Sequence, residues 1–320
     1  MPLTDNPFGY GNLIPTGRPE LQTANLELTK WSADALRFGS DQLLFSRFVQ
    51  TGVDFGVGVG GTIRVPVLAW DRTISGTAPL TQGSSIPVGT TDLDYVDVNV
   101  NEFGRAYSKT AFFDYLTNMN YRNQLVMQLG FNFGVTWDAY IRDQFMGGVH
   151  GAYSNAAANS GLNIGSALSD EFGTQALNGS HIEQLRDHLK AQFVPTFPNG
   201  LYAMIGNAQT FRNIKQEQGW TNLQLYNLRG ENIIRQSVGV FNGVAFFETE
   251  ENTENHKSVI FGPGAVVQGF GSPMEIRVEG DWKQDFQRFM AFAWYLIGGA
   301  APALRDKGTH AMVIRTGAST

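Results

Sequence analysis

The 320-residue sequence contains no cysteine, which excludes disulfides, thiolate metal sites and cysteine nucleophiles. Charged residues make up only 16% of the chain, against about 25% in an average soluble protein. The net charge is -6 and no block of basic residues occurs, so strong binding to nucleic acid phosphates is not indicated. So few charges indicate that much of the surface is covered, either by the chain itself or by copies of it.

A long apolar run that could span a membrane is also missing. The uncharged stretch "FMAFAWYLIGGAAPAL", residues 289–304, is shorter than the roughly 20 residues that a spanning helix needs. Gly298, Gly299 and Pro302 interrupt it, and we therefore predict a buried strand, a turn and a second strand, with no membrane partner. The first residues have no basic region followed by an apolar core, so we expect no signal peptide.

Signatures of common enzyme sites are absent as well. The stretch "GVGVGG" places Gly56, Gly58 and Gly61 in the spacing G-x-G-x-x-G of a dinucleotide-binding turn. That turn requires a following helix and an acidic residue about 20 positions on. Here a strand with Pro66 follows, and residues 72–91 contain no Asp or Glu. No P-loop, G-x-S-x-G or H-E-x-x-H motif occurs, and we predict that the protein is not an enzyme and binds no cofactor.

Residues that could bind a metal are present without the spacing of a metal site. His181 and His188 are seven positions apart, which favours surface histidines on an amphipathic helix. Asp92, Asp94 and Asp97 alternate with apolar residues and do not complete a calcium loop. They are typical of a strand edge that faces solvent or a partner, and we predict no metal site.

Two alternating segments predict a long two-stranded β-ribbon over residues 52–112. In "TIRVPVLAW", Pro66 indicates an edge strand because proline cannot donate to a ladder. In "DLDYVDVNVNEF", the apolar phase changes between Tyr95 and Val96, which predicts a β-bulge. A ribbon of this kind is not stable alone in water, so it must lie on its own subunit or on a neighbour.

The strongest helix is predicted over residues 113–148, where an apolar residue recurs at every fourth position. A step of four drifts by about 40° on a 3.6-residue helix, so this helix should be buried on several sides. The recurring residues are Tyr121, Leu125, Leu129, Phe133, Trp137, Ile141 and Phe145.

The remaining segments complete an α+β pattern. Ser180 and Glu183 predict a capping box at the start of a helix, and Asn242 with Gly243 predicts a type I′ hairpin. The further segments are an N-terminal arm (1–27), an N-terminal helix (28–51), a mixed region whose first part is a loop up to residue 180 (149–265) and a set of closing strands (266–320).

This order of elements resembles the major capsid protein of tailed bacteriophages, which has the Hong Kong 97-type coat fold. The ribbon corresponds to the family's E-loop, the long helix to the spine helix of its peripheral (P) domain, and residues 149–265 to its axial (A) domain. The ending "MEIRVEGDWKQDFQRFMAFAWYLIGGAAPALRDKGTHAMVIRTG" carries the most specific similarity. It contains a strand, a turn and short helix from Asp281 to Arg288, a long strand, Pro302 and a final strand.

The resemblance implies a shell protein that associates with itself as hexamers and pentamers and forms an icosahedral capsid around double-stranded DNA. The expected location is the virion, after assembly in the host cytoplasm. The expected partners are a portal protein, a separate scaffolding protein and a possible cement or decoration protein. Some relatives cross-link a lysine of the E-loop to an asparagine of a neighbour; residues 52–108 contain no lysine, so we expect no such cross-link.

The charge of the ribbon leads to a hypothesis about contacts between subunits. Residues 52–103 contain two arginines and six acidic residues, a net charge of -4, which should favour a basic patch on a neighbour. The candidate contact residues are Arg64, Trp70, Asp71, Arg72, Asp92, Asp94, Asp97, Arg122 and Arg142. At the base of the ribbon we expect a glycine hinge that lets the ribbon pivot as a shell expands, formed by Gly58, Gly60 and Gly61.

Three alternatives stay open from the residues. An encapsulin-like bacterial compartment shell has the same fold, with enzyme cargo instead of DNA. A nucleotide-dependent enzyme would use the glycine turn. A tail-tube or adhesin β-protein would have no use for a helix as long as the one predicted over 113–148.

Overall fold

The structure, a computed structural model, describes part of the chain. The described residues are 32–35, 37, 39, 43–51, 61–68, 82–83, 85–86, 93–110, 121–147, 150–154, 162–165, 176–217, 237–249, 257–279, 289–303 and 311–315. The chain divides into two compact units, each assembled from three segments. Unit 1 comprises Met1–Gln42, Glu102–Gly134 and Pro273–Leu296, and unit 2 comprises Leu43–Asn101, Val135–Ser272 and Ile297–Thr320.

The long helix of the sequence prediction is present as α1, Tyr121–Met146. The predicted residues 113–120 lie outside the described part of the chain. The apolar residues at every fourth position from Leu125 to Phe145 are all buried, as the pattern predicted. Two shorter helices follow, α2 at Gly179–Ala191 and α3 at Ala208–Gln216. None of the helices in the described ranges is long and apolar enough to cross a membrane.

The described residues contain thirteen strands that form three sheets. In chain order they are β1 (Gln50–Thr51), β2 (Thr62–Leu68), β3 (Leu93–Asn99), β4 (Asn101–Thr110), β5 (His150–Ser154), β6 (Leu162–Gly165), β7 (Tyr202–Gly206), β8 (Ser237–Phe241), β9 (Val244–Glu248), β10 (Lys257–Phe261), β11 (Val266–Glu279), β12 (Phe289–Pro302) and β13 (Ala311–Arg315). One sheet has the order β1-β11-β12-β4, a second has the order β6-β5-β13-β10-β7-β9-β8, and β2 pairs with β3 as a ribbon.

In unit 1, the first half of α1 packs on strand β12. The buried rings of Phe133 and Trp294 meet edge to face with centroids 5.5 Å apart, and the indole Nε1 donates to Asn132 Oδ1 at 3.0 Å. A Cβ atom on Gly130 would lie 2.3 Å from the carbonyl oxygen of Ala35. Glycine is therefore required where the N-terminal helical residues approach α1.

The N-terminal helix ends earlier than the sequence predicted. Residues 32–35, 37 and 39 are helical. The chain then forms a short 3-10 helix at Phe45–Phe48 and strand β1, where we had predicted helix up to residue 51. The cause is a long-range contact, because a buried carboxylate of α1 binds the backbone N–H groups at the start of this 3-10 helix.

The core of unit 2 lies between the seven-stranded sheet and helices α2 and α3. Strand β7 is buried along its whole length and pairs with β10 and β9. Its neighbours across the core include Leu185 and Leu189 of α2 and Phe211 and Ile214 of α3. The hairpin of β8 and β9 turns at Asn242 and Gly243, both with positive φ, which confirms the predicted type I′ turn.

Strand β12 corrects one prediction from the sequence. It runs without a turn from Phe289 to Pro302, through Gly298 and Gly299, where we had predicted a strand, a turn and a strand. The two glycines allow close packing instead of a turn. A Cβ atom on Gly298 would lie 3.1 Å from the carbonyl oxygen of Gly269, and one on Gly299 would lie 2.0 Å from that of Asn99.

The ribbon corrects a second prediction, because its described part has no β-bulge. Pairing is continuous from Thr62 opposite Asn99 to Leu68 opposite Leu93. The change of apolar phase has another cause: Val96 is buried, whereas Tyr95 stays exposed on the outer face. An aromatic residue on the solvent side therefore mimics the pattern of an inserted residue.

The start of α2 corrects a third prediction. Asn178, and not Ser180, is the N-cap: its side chain accepts from the backbone N–H of His181 at 3.0 Å. His181 completes the capping box, because its Nδ1 accepts from the backbone N–H of Asn178 at 3.4 Å. His181 is fully buried, so the prediction of a surface histidine at this position was wrong. Glu183 instead accepts from the side chain of Asn242 at 2.9 Å.

We predict that His181 makes the stability of unit 2 sensitive to acid. Burial lowers the pKa of His181, and protonation would replace an acceptor with a donor facing the N–H of Asn178. Since the unfolded chain takes up the proton first, each pH unit below about 6.5 should cost up to about 1.4 kcal/mol until the folded-state pKa is reached. The measurement is urea unfolding of unassembled subunits between pH 5 and 7.5.

The matched variants for this experiment are His181→Gln and His188→Gln. Glutamine is the usual capping-box residue at this position and does not titrate, so His181→Gln should flatten the pH dependence while keeping the cap. His188 lies on the same helix and is half-buried, and its replacement should leave the dependence in place. Equal slopes for wild type and His181→Gln would contradict the prediction.

Candidate assembly surfaces

The ribbon of β2 and β3 lies with one face on its own unit. Val96 and Val98 of β3 are buried in a small cluster with Val267 and Ala303. Val65 of β2 packs against the same cluster. The sequence left open whether the ribbon lies on its own subunit or on a neighbour, and this part of it is covered by its own subunit.

The opposite face of the ribbon carries exposed polar side chains beside the exposed Tyr95. Arg64 Nε donates to Asp97 Oδ1 at 2.9 Å across the two strands, and both side chains are at least half exposed. Two residue pairs further along, on the same face, Thr62 Oγ1 donates to Asn99 Oδ1 at 3.0 Å. Arg64 and Asp97 therefore neutralise each other within one chain, and an exposed pair of this kind contributes little to stability.

The chain enters the ribbon from a segment fixed by Asp138 of α1. The carboxylate is fully buried and accepts from the backbone N–H groups of Phe45 at 3.2 Å and Ser46 at 3.0 Å, and from Ser46 Oγ at 3.2 Å. Burial raises the pKa of Asp138, and these hydrogen bonds oppose the shift. Strand β1 follows and pairs in parallel with β11 at Val267. The backbone before the ribbon is thus held at two successive points.

The chain leaves the ribbon past Gly299 of β12. The carbonyl of Asn99, at the end of β3, approaches Gly299 so closely that a side chain there would collide with it. The next residue, Val100, donates its N–H to the carbonyl of Gly61 at 3.0 Å. We call these contacts, together with those of Asp138, the ribbon root. The root holds the backbone of unit 2 at Phe45 and Ser46 before the ribbon and at Asn99 and Val100 at the end of β3.

Among the other predicted contact residues, the structure describes the side chain of Arg142 only. Arg142 of α1 is 15% exposed and pairs with the neighbouring Asp143 at 2.8 Å, so much of its charge faces its own chain. Arg122 lies in the first turn of α1 and Asp94 in β3, and their side chains are not described. The remaining predicted residues lie outside the described part of the chain: Trp70, Asp71, Arg72, Asp92, Gly58 and Gly60.

Gly61 is the one predicted hinge residue that the structure describes. It is exposed, its φ is outside the left-handed region, and a Cβ atom there would meet no atom within 4 Å. Glycine is therefore not sterically required at this position.

Sequence reasoning missed several large apolar side chains that are exposed. Met127 and Phe131 lie one turn apart on α1, outside the four-residue apolar series, and this spacing could have revealed a second apolar face. The full set is Ile86, Tyr95, Met127, Phe131 and Phe193. No group of three acidic or histidine side chains suited to a metal ion occurs among the residues that the structure describes.

The long helix, the two larger sheets and the ribbon define the class of the fold: the chain has the Hong Kong 97-type fold of tailed-phage capsid proteins. The capsid of Ralstonia phage GP4 matches with a TM-score of 0.65 and 13% identity, over 85% of this chain and 88% of that chain. The capsid asymmetric unit of cyanophage Pam1 matches with a TM-score of 0.56 and 13% identity, over 86% and 92%.

A virus-like particle from Pyrococcus furiosus also matches, with a TM-score of 0.54 and 10% identity, over 90% of this chain and 99% of that chain. No protein-family model and no curated protein matches the sequence. At these identities, the similarity establishes the fold that was predicted from the order of elements.

Proposed function

We propose that the protein is a major capsid protein that assembles through hexamers and pentamers into an icosahedral shell around phage double-stranded DNA. The observation that carries the proposal is the match to phage capsid structures along 85% of the chain or more. Two further observations support it: the chain has few charged residues, and large apolar side chains are exposed on both units. Association between copies would cover such surfaces. The role is structural and requires no catalysis.

The proposal assigns a part to each segment of the chain. Residues 52–112 form the E-loop, 113–148 the spine helix of the P domain and 149–265 the A domain, and 266–320 close both domains. A short arm at 1–27 and a helix at 28–51 precede them. Gly58, Gly60 and Gly61 form the hinge of the E-loop. The net charge of -6 suits a shell that encloses DNA without binding a particular sequence.

The proposed partners follow from the same role. Copies of this chain form the shell in the host cytoplasm, a separate scaffolding protein guides assembly, and a portal protein occupies one vertex. A cement or decoration protein would bind the outside of the completed virion. An encapsulin-like compartment shell is the second candidate, favoured by the match to the Pyrococcus furiosus virus-like particle.

Electron microscopy of the purified protein tests the proposal. We expect closed icosahedral particles or sheets of hexamers, and a uniform monomer at high concentration would contradict it. Nuclease treatment of particles from infected cells then separates the two candidates. Protected double-stranded DNA supports the capsid, and a protein cargo without DNA supports the compartment shell.

We predict that reversal of the ribbon charges weakens assembly. Exchanging Asp92 and Asp94 for lysine changes the net charge of residues 52–103 from -4 to zero. A basic patch on a neighbour would then no longer attract the ribbon, and it would repel the two new lysines. The concentration needed for assembly should rise, and its dependence on NaCl should become weaker. Light scattering over a salt series measures both quantities.

The control for this experiment is Asp187→Lys on α2, which changes an exposed carboxylate outside the ribbon. It should leave the salt dependence of assembly close to that of wild type. If the ribbon variant also assembled with an unchanged salt dependence, the electrostatic contact of the ribbon would be refuted.

A further inference from the structure

The C-terminus of α2 has an unusual residue at its left-handed position. Phe193 has a φ of 56°. Its N–H donates to the carbonyl of Lys190 at 2.9 Å, and the N–H of Val194 donates to that of Leu189 at 3.0 Å. These two bonds are those of a Schellman motif, in which glycine is strongly favoured at the position of Phe193. A phenylalanine there is strained by its Cβ atom.

The side chain of Phe193 does not recover this cost by burial in its own subunit. Its exposed fraction is 71%, equal to the highest among the large apolar residues that the structure describes. Glycine or asparagine would relieve the strain and remove the exposed ring. A contact with another molecule would cover this exposed ring on its left-handed backbone.

The backbone that carries the ring is held firmly. Val194 is buried, and its carbonyl accepts from the hydroxyl of Tyr202 at 2.8 Å within the core. Phe197 donates its N–H to Leu201 at 3.0 Å and accepts from Gly200 at 2.8 Å, closing a turn. A ring on a fixed backbone loses little conformational entropy when it binds, which is a property of binding hot spots.

The same loop forms a wall of an apolar cavity of about 410 Å³ in unit 2. Phe197 and Pro198 contribute from the loop, and Phe48 and Phe247 contribute from neighbouring elements. Residues 191–203 contain no charged side chain. The surface therefore combines a convex ring with a concave, mostly apolar cavity, and Arg47 is the charged residue in the cavity lining; the centre of a protein interface has this composition.

We propose that this loop surface, Phe193 with the cavity beside Phe197 and Pro198, binds a second copy of this chain. The inference rests on the proposed function, since a shell consists of many copies in repeated contact. One chain carries both an apolar ring and an apolar cavity, so two copies can satisfy each other without any other component. Arg47 is the one basic residue among the described residues of the cavity lining, and a single basic side chain does not form the basic patch that nucleic acid binding requires.

The test compares Phe193→Asn with Phe193→Leu. Asparagine tolerates the left-handed conformation and removes the ring, whereas leucine keeps an apolar side chain and the strain. For Phe193→Asn, we expect the subunit concentration needed for assembly to rise by at least about tenfold. The melting temperature of unassembled subunits should stay the same or increase. Phe193→Leu should assemble much closer to wild type.

Two results would overturn the inference. One is assembly of Phe193→Asn at the wild-type concentration, and the other is a lower melting temperature of its unassembled subunits, which would show that the ring stabilises its own chain. If the wild-type protein itself formed no particles, the proposed function would be wrong, and the inference that rests on it would be wrong as well. If only the Phe193→Asn result were contrary, the inference would be wrong and the proposed function would stand. The two failures are therefore distinguishable.

A second measurement keeps the test valid if Phe193→Asn misfolds. The chain has no cysteine, so Thr196→Cys places one thiol in the exposed loop. We expect a bulky maleimide to label this thiol quickly in free subunits and at least about tenfold more slowly in assembled particles. Equal rates in both states would refute the contact.

Discussion

Replacing Gly299 with alanine should destabilise unit 2 more than a substitution at any exposed glycine that the structure describes. The new Cβ atom would lie 2.0 Å from the carbonyl oxygen of Asn99 and 2.9 Å from its carbonyl carbon. Both are backbone atoms, so no side chain can rotate to make room. Either β12 or the end of β3 must move, and we expect a loss of at least about 3 kcal/mol in the free energy of unfolding.

Gly299→Ala should impair particle formation more strongly than it impairs the folding of the subunit. Displacing Asn99 moves the point where the chain leaves the ribbon, and the bond from Val100 to Gly61 shifts with it. Under the proposed function, the ribbon must reach a neighbouring subunit in a fixed register. Gly299→Ala should therefore fail to form closed particles at temperatures at which its subunits remain folded, as electron microscopy and urea unfolding together can show.

Two other glycines give graded controls. Gly298→Ala meets the carbonyl oxygen of Gly269 at 3.1 Å, a contact that a small adjustment relieves, and should have a smaller effect. Gly61→Ala meets nothing within 4 Å and should change the free energy of unfolding by less than about 0.5 kcal/mol. Because Gly61 belongs to the proposed hinge, this variant is a control for folding and not for assembly. Wild-type stability for Gly299→Ala would show that β12 and β3 are not in close contact at this point.

The outline of the fold could be predicted because it depends on local periodicity. The four-residue repeat of α1 and the alternation in β2 and β3 are properties of neighbouring residues, and the structure contains both elements. The order of elements then indicated the fold. The positions where the prediction was wrong depend on distant residues: Gly298 and Gly299 in sequence indicate a turn, and only the approach of Gly269 and Asn99 shows why they lie in a strand.

The assembly surfaces were less predictable for the same reason. The exposed charges of the ribbon could be counted from sequence, but the pairing of Arg64 with Asp97 depends on the register of two strands. Phe193 follows a helix in an ordinary apolar pattern, and its left-handed backbone is visible only in three dimensions. The sequence predicts a surface position for His181, because the burial of the first turn of α2 depends on distant residues of the core.

Replacing Asp138 with alanine should loosen the chain where it enters the ribbon. The backbone N–H groups of Phe45 and Ser46 would lose their acceptor inside the core. Hydrogen bonds to a charged group contribute about 1.5–3 kcal/mol each, and an orphaned buried donor carries a similar cost. We expect a loss of about 3 kcal/mol in the free energy of unfolding, measured by urea titration near pH 7.

Asp138→Asn and Asp143→Ala are the matched variants. Asparagine keeps the shape and one acceptor, and it avoids burying a charge, so its loss should be less than half that of alanine. Because burial raises the pKa of Asp138, ionisation disfavours the folded state. Wild type should therefore lose stability relative to Asp138→Asn as the pH rises above about 4. Asp143 is exposed on the same helix, and its replacement should cost less than about 1 kcal/mol.

Replacing Asp138 should affect assembly as well as subunit stability, unlike replacement of an ordinary core residue. Its carboxylate holds the 3-10 helix that precedes β1, and β1 pairs with β11 just before the ribbon begins. If this anchor sets the direction of the ribbon, Asp138→Ala should form aberrant or open particles even where its subunits are folded. Normal particles at normal yield would show that Gly299 and the valine cluster of β3 hold the ribbon in place without Asp138.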